Sequence, residues 1–305
     1  MPQAVLKSPL SKALRVALIQ LKAGSDKTAN LKKVGTMIDK AIKTSTVGKL
    51  DLIVLPECFN SPYAVDQFRK YAETIPDGET TSLLANLSKK HQVFIVGGSI
   101  PELAPDEDNK VYNTSLTFSP TGDIIAKHRK VHLFDIDIPN GITFKESITL
   151  TGGNKATVFK MGDFGNVGLG ICYDIRFPEL AQIASRSPHN SFAMIYPGAF
   201  NTTTGPLHWH LLARARAVDN EVFTILCSPA RDVGGDGYQA YGHSLICDPQ
   251  GKIIAEAGID EEIVFAELDE KLLPAARTSI PVHYQRRFDV YDDFVNNGKV
   301  KVSDL

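Results

Sequence analysis

Cysteine is scarce in this chain: there are 4 in 305 residues, at positions 58, 172, 227 and 247, and none forms a Cys-x-x-Cys pair. That excludes a disulfide framework, a zinc knuckle and a thioredoxin-like pair, and it points to reduced thiols in a cytosol-like compartment. An excess of one charge is also lacking, since 33 Lys and Arg stand against 35 Asp and Glu, a formal net charge of -2. Nucleic acid and anionic membrane surfaces both select clustered positive charge, so neither is an expected partner. No window nears the ~18 consecutive apolar residues that a membrane span requires. A signal-peptide core followed by a small-residue cleavage site is missing as well. Lys7, Lys12 and Arg15 precede Asp26 with no acid before it, which leaves a mitochondrial leader as the alternative compartment. The stretch "ALRVALIQL" from Ala13 reads better as a first strand, with residues 1–13 as a short tail, and the cytoplasm is expected.

What is present looks globular: 43% of residues are apolar and 22% charged, ordinary values for a packed domain. The chain also repeats itself. Shifted by 129 positions, "YNTSLTFSPTGDIIA" (Tyr112–Ala126) lies on "YGHSLICDPQGKIIA" (Tyr241–Ala255) with 8 identities in 15 positions. The same shift places Val93-Phe94 on Val222-Phe223 and Ser99 on Ser228. At a shift of 141, Pro56-Glu57-Cys58-Phe59-Asn60 resembles Pro197-Gly198-Ala199-Phe200-Asn201. So long a period is not a solenoid and reads as two related halves of one domain.

Each half has the same parts. "DLIVLPE" and "SFAMIYPG" are short apolar runs stopped by proline, as buried strands would be. "QVFIVGGSIPE" and "EVFTILCSPA" are a second pair. Helices are predicted over Ser82–Lys90 and Pro206–Asn220, the latter with Leu207, Leu211, Leu212, Ala215 and Val218 on one amphipathic face. Another is predicted around Leu31, Val34, Met37, Ile38, Ala41 and Ile42, after the first strand. Ser119-Pro120-Thr121-Gly122 and Asp248-Pro249-Gln250-Gly251 carry a type I turn signature inside a hairpin. Buried strands interleaved with helices give an α/β class, and the hairpins make the sheets mixed. The expected architecture is two sheets packed face to face with helices on both outer faces.

Cys172 ends the glycine-flanked run "GNVGLGICYD" and precedes Arg176-Phe177-Pro178-Glu179, a helix start. A thiol there can sit at a sheet edge and feel a helix N-terminus, which favours thiolate. A free thiol with pKa about 8.5 is mostly protonated at neutral pH, so a nucleophile needs a base. The alternative is a buried, inert cysteine. No histidine has a spacing that singles it out. Glu57, just after a buried strand and Pro56, would be partly desolvated and shifted toward proton shuttling; otherwise it is a loop acid. The matching position in the other half is Gly198, so the fold does not require the acid.

Lys130 could stabilise an oxyanion or be a solvated charge. Glu146 in "FKES" is equally ambiguous. His128 and His132 are spaced i, i+4, but no helical His-Glu-x-x-His motif surrounds them and a strand is expected there, which disfavours a metal. Arg176 is either a clamp for a substrate carboxylate or a partner of Glu179.

Glu57 in "LPECFNSPY", Lys130 in "HRKVHLFD" and Cys172 in "GICYDIRFPE" together resemble the Glu–Lys–Cys set of the nitrilase superfamily of carbon–nitrogen hydrolases. The resemblance runs from about Leu14 to Tyr291, which would be a single domain with tails at 1–13 and 292–305. "CFNSPY", "NGITFKES", "YPGAFNTTTGPLHW", "SPARD" and "QRRFDVY" are similar to its omega-amidase branch. The branch acting on deaminated glutathione is the competing likeness, and a catalytically silent scaffold the more distant one. Tyr173-Asp174 follows the cysteine where true nitrilases usually have Trp-Glu, which disfavours nitriles.

The resemblance implies a four-layer αββα sandwich with two pseudo-twofold halves, commonly a homodimer. It implies a Cys172 nucleophile, Glu57 as base, and an oxyanion held by Lys130 and the Tyr173 backbone N–H. Glu146 resembles the family's auxiliary acid, and Tyr63, Tyr173, Arg176, Phe200 and Thr204 match positions around substrate. No metal or cofactor is expected. The implied substrates are terminal amides of 2-oxo dicarboxylic acids.

Overall fold

A computed structural model of the chain describes residues 7–137, 143–235, 237–287 and 290. In the first half, β1 (Leu14–Gln20), α1 (Lys27–Thr44), β2 (Leu52–Val54), α2 (Phe68–Tyr71), α3 (Glu79–His91), β3 (Phe94–Val96), β4 (Ile100–Ala104), β5 (Lys110–Phe118) and β6 (Ile124–Arg129) follow one another. A small hairpin of β7 (Asp135–Asp137) and β8 (Thr143–Lys145) leads to β9 (Thr157–Lys160). The second half runs β10 (Asn166–Leu169), α4 (Pro178–Ser185), β11 (Ala193–Pro197), α5 (Thr204–Asn220), β12 (Phe223–Cys227), β13 (Leu245–Cys247), β14 (Ile253–Glu256), β15 (Glu262–Leu268) and α6 (Leu272–Ser279).

The two sheets share one plan, save that β4 has no counterpart in the second. One has the order β15-β1-β2-β3-β5-β4 with β6 paired to β5, the other β14-β13-β12-β11-β10-β9. In each, three parallel strands are followed by antiparallel ones, and an antiparallel strand flanks the first. The halves agree down to single backbone torsions at the 129-residue shift. Gln92 and Glu221, which close α3 and α5, have φ of 52° and 51°, and the turn glycines Gly122 and Gly251 have 89° and 79°. Both turns close with the expected bond, Gly122 N–H to Ser119 O and Gly251 N–H to Asp248 O, each 2.9 Å.

Period-two alternation puts the layers together. Val16, Leu18, Leu52, Val54 and Val96 of one sheet share a core with Val167, Leu169, Ile195, Phe223 and Ile225 of the other. The alternate residues Ala17, Ile19, Ile53 and Ile95 meet Leu31, Val34 and Ile38 of α1 and Leu84 and Leu87 of α3. Met194, Tyr196 and Leu226 meet Ala184 of α4 and Trp209, Ala213 and Ala217 of α5. Strands covered on both faces read as unbroken apolar runs, and the result is the expected αββα sandwich. Among the described residues no helix is long and apolar enough to cross a membrane.

Two expectations are corrected. Most of the apolar stripe of α5 faces away from the protein: Leu207 and Leu211 are 63% and 60% exposed, while Trp209, Ala213 and Ala217 face the sheet and Leu212 packs at their edge. Small residues at 213 and 217 let the helix approach the strands closely, which a leucine row would prevent. The expected N-terminal tail also contains core: Leu10 is wholly buried between the sheets, and Ser11 N–H donates to Phe164 O at 3.0 Å. The expected domain limit at Tyr291 and the tail from 292 lie outside the described residues.

Candidate active site

The expected trio comes from three strand exits. Glu57 follows β2, Lys130 follows β6, and Cys172 opens a single 3-10 turn (Cys172–Arg176) after β10. Glu57, Lys130 and Cys172 are 1%, 0% and 5% exposed. Gly98 lets the Glu57 loop settle, because a Cβ there would stand 2.1 Å from Pro56 O. Lys130 is fixed through its backbone, donating to Asn113 O and accepting from Gly153 N–H, both at 2.8 Å. Cys172 has φ of 45°, a left-handed backbone that costs a non-glycine residue energy and projects the side chain out of a tight turn.

These groups touch. Lys130 Nζ donates to Glu57 Oε1 at 3.0 Å and to Glu146 Oε1 at 2.9 Å. Asn113 Nδ2 donates to Glu57 Oε1 at 2.8 Å. The Ala199 N–H is shared between Glu57 Oε2 at 2.8 Å and Cys172 Sγ at 3.3 Å. The Cys172 thiol in turn hydrogen bonds to Glu57. Glu146, wholly buried, also accepts from Phe134 N–H at 2.7 Å and Tyr63 O–H at 2.7 Å.

Burial dictates the protonation states. Desolvation raises the Glu57 carboxyl above its usual range, with Lys130 opposing it and Glu146 adding to it. Desolvation and the Glu57 charge push the Cys172 thiol well up, so it rests protonated. Burial would lower the Lys130 ammonium, but Glu146 and Glu57 outweigh it and hold the group well above its usual value. A raised carboxylate beside a protonated thiol and a fixed cation is a base, a nucleophile and an anion site in one cluster.

A carboxylate that the sequence reading passed over ties the cluster together. Asp174, wholly buried, accepts from Ile171 N–H and His132 N–H, both at 2.9 Å. Its two oxygens also meet His128 Nε2 at 2.9 Å and His132 Nδ1 at 2.8 Å. Burial would raise this carboxyl, but the two histidines and the Ile171 amide hold it far below the usual range. His128 and His132 thus serve Asp174.

A cavity of about 360 Å³ is lined by Glu57 of the trio and by Ala199, whose N–H reaches Cys172, with Tyr63, Tyr238 and Pro229 also among its walls; Lys130 and Cys172 lie behind this lining. That is within the size of small-molecule sites, about 300–1,000 Å³. Tyr238, not found from sequence, donates its O–H to Ala199 O and so holds the peptide shared by Glu57 and Cys172. Aromatic rings continue from it: Tyr63 lies 4.6 Å from Tyr238 and stacks on Phe144 at 5.6 Å, and Phe134 lies 5.7 Å from Phe144 and 5.2 Å from Tyr173. Phe134 and Phe144 stand in strings already quoted, "HLFD" and "NGITFKES", but nothing in their spacing pairs them.

The remaining expected residues divide. Tyr63 lines the cavity, whereas Tyr173, Arg176, Phe200 and Thr204 do not. Arg176 lies over the Phe200 ring at 4.6 Å and the Tyr173 ring at 5.6 Å. Its Nη1 meets His208 Nδ1 at 3.0 Å, while its buried Nε has no hydrogen-bond partner. Among the described residues no ion pair joins it to Glu179, which lies beyond Pro178 in the first turn of α4. Burial lowers its guanidinium, and the nearby Cys172 counters this. Thr204 donates its N–H and Oγ1 to Asn201 Oδ1 at 2.7 and 3.0 Å, in the first turn of α5.

The carbon-nitrogen hydrolase family model matches residues 15–278. The omega-amidase NIT3 of Saccharomyces cerevisiae is 57% identical over 288 residues, 93% of this chain and 97% of that protein. The omega-amidase NIT2 of Homo sapiens is 47% identical over 279 residues, 92% of this chain and 97% of that protein. The crystal structure of Saccharomyces cerevisiae Nit3, described as a member of branch 10 of the nitrilase superfamily, superposes with a TM-score of 0.83 at 51% identity. That superposition covers 92% of this chain and 98% of that one.

Proposed function

The chain belongs to the carbon–nitrogen hydrolase family, and from that footing we propose that it is an omega-amidase working through a Cys172 thioester. Its substrates are terminal amides of 2-oxo dicarboxylic acids: alpha-ketoglutaramate, giving alpha-ketoglutarate, and alpha-ketosuccinamate, giving oxaloacetate, each with ammonia. The observation that carries the mechanism is the Ala199 N–H shared by Glu57 and Cys172, which fixes acid and thiol for direct proton transfer.

Glu57 takes the Cys172 proton and the sulfur attacks the amide carbon. Proton transfer moves the negative charge from carboxylate to sulfur within the cluster while the Lys130 cation stays in place. The carbonyl oxygen becomes an oxyanion held by Lys130 Nζ and the Tyr173 N–H, which sits in the first turn of a 3-10 helix, where N–H groups lack intrahelical acceptors. Losing one such donor costs about 3–4 kcal/mol in other enzymes. The C–N bond breaks as Glu57 returns its proton to the leaving nitrogen, releasing ammonia and leaving the thioester. Glu57 then takes a proton from water, whose oxygen displaces the thiolate; the acid product leaves and the thiol is restored. Glu146 holds Lys130 throughout, and the unpartnered Arg176 Nε is a donor for the far carboxylate of the substrate.

Ammonia release over a panel of alpha-ketoglutaramate, alpha-ketosuccinamate, glutamine, asparagine, deaminated glutathione and a simple nitrile tests this reading. The two 2-oxo amides should have the highest kcat/KM; preference for deaminated glutathione would overturn the substrate assignment. The outward stripe of Leu207, Leu211 and Val218 on α5 supports a homodimer built across that helix, which sedimentation of the protein with Leu211→Lys would test.

A further inference from the structure

His210 on α5, His243 in the loop before β13 and Glu256 at the end of β14 bring three ligand atoms within 4.8 Å of one another. They come from three separate stretches of chain and take no part in the amide chemistry. His210 Nε2 and His243 Nδ1 lie 2.8 and 3.0 Å from the same carboxylate oxygen, Glu256 Oε1. Asp174 meets its two histidines differently. There two imidazoles take opposite oxygens, one each, at 2.9 and 2.8 Å, as hydrogen bonding alone would arrange them. At Glu256 both rings converge on a single point.

We propose that these three side chains form a binding site for a divalent transition-metal ion of the zinc type, tying α5 to β14. Two imidazoles and a carboxylate are a common zinc donor set, with Zn–N and Zn–O distances of about 2.0–2.2 Å. Tetrahedral geometry at those lengths separates ligand atoms by about 3.3 Å, so the two short contacts open by a few tenths of an ångström and the imidazoles draw together. The side chains of His210, His243 and Glu256 are 31%, 25% and 32% exposed, which leaves an entry path and room for water as the fourth ligand.

The backbone supports the same reading. His243 has φ of 57°, strain that a non-glycine residue sustains only where its surroundings impose it. Its N–H donates to Gly258 O at 2.9 Å and its carbonyl accepts from Trp209 Nε1 at 2.6 Å. The ring is therefore presented from a fixed backbone, against Tyr241 at 4.4 Å. Trp209 also packs on Phe200 at 5.1 Å, so the site braces the layer behind the catalytic cluster. Its role is structural, since none of its ligands reaches the reacting atoms.

Zinc titrated into the full-length protein tests the site, with calorimetry for stoichiometry and thermal unfolding for stability. A Cys172→Ala background removes the competing thiol. One ion per chain should bind and raise Tm by several degrees. His210→Gln, His243→Asn (which keeps a residue tolerant of positive φ) and Glu256→Gln should each weaken binding at least tenfold, by about the factor seen for perturbed metal sites, and abolish the Tm rise. Cobalt in place of zinc should show ligand-field bands without sulfur charge transfer. Equal zinc uptake in the three variants, or uptake that vanishes with Cys172 alone, would overturn the proposal, whatever the outcome of the amidase assays.

Discussion

Asp174 Oδ1 accepts from both the main-chain and the ring N–H of His132, at 2.9 and 2.8 Å. Asp174 stands two residues after the nucleophile and His132 two residues after the catalytic ammonium. One buried carboxylate therefore sets the distance between the turn that carries Cys172 and the strand exit that carries Lys130.

Asp174→Asn replaces an acceptor of four hydrogen bonds by a group that must turn its NH₂ toward a donor. Leaving a buried hydrogen-bonding group unpaired costs about 1–3 kcal/mol, and a loss in that range is expected from urea unfolding at neutral pH. Because the native carboxyl is held far below its unfolded value of about 3.9, its stabilisation is complete above that value and fades as the pH falls through it toward the native one. The stability gap between wild type and variant should therefore narrow below about pH 4. Alkylation of Cys172 by iodoacetamide should slow in the variant even where it is fully folded.

Glu146→Gln removes a negative charge that raises Glu57. The Glu57 carboxyl should then titrate lower, and the acid limb of kcat/KM should move to lower pH while the maximum falls, since Lys130 loses one of its two anchors. An unmoved acid limb would detach that limb from Glu57.

Tyr238→Phe deletes the bond to Ala199 O and nothing else in the catalytic cluster. Stability should change by about 1 kcal/mol, the net worth of an ordinary hydrogen bond. The fall in kcat should be larger than that in stability, because the 199 peptide aligns Glu57 with Cys172. Steady-state kinetics beside a urea melt separates the two effects.

Arg176→Gln should raise KM for alpha-ketoglutaramate about 10–100-fold, equivalent to 1.4–2.7 kcal/mol. An uncharged amide of similar length should be turned over with little change. Loss of kcat with KM unaltered would place Arg176 with the reacting atoms.

Much of the fold is legible in the chain because it is written twice: the 129-residue shift marked the two hairpins, and with the 141-residue shift it paired the buried strands of the halves. The orientation of α5 was not legible, because a stripe of Leu207, Leu211 and Val218 has the same periodicity whether it meets its own sheet or another surface. Leu10 was missed since one apolar residue between Pro9 and Ser11 carries no pattern. Glu57, Lys130 and Cys172 were legible because each stands in a string that resembles a nitrilase-superfamily motif; from the residues alone each kept an inert alternative. Asn113, Asp174 and Tyr238 act through contacts 39 to 56 residues away in sequence, and spacing does not encode those. Thr204 shows a related ambiguity: a hydroxyl at a helix start can as readily serve the helix as a ligand.

The central claim is that sulfur 172 carries the acyl group between the loss of ammonia and the arrival of water. Acid-quenching the enzyme during turnover of alpha-ketoglutaramate and weighing the intact chain and its peptides tests it most directly. The acyl mass should appear on the peptide holding Cys172, accumulate when Glu57-dependent hydrolysis is slowed, and be absent from Cys172→Ala. Ammonia released at an undiminished rate by Cys172→Ala, with no acylated peptide in the wild type, would contradict the account.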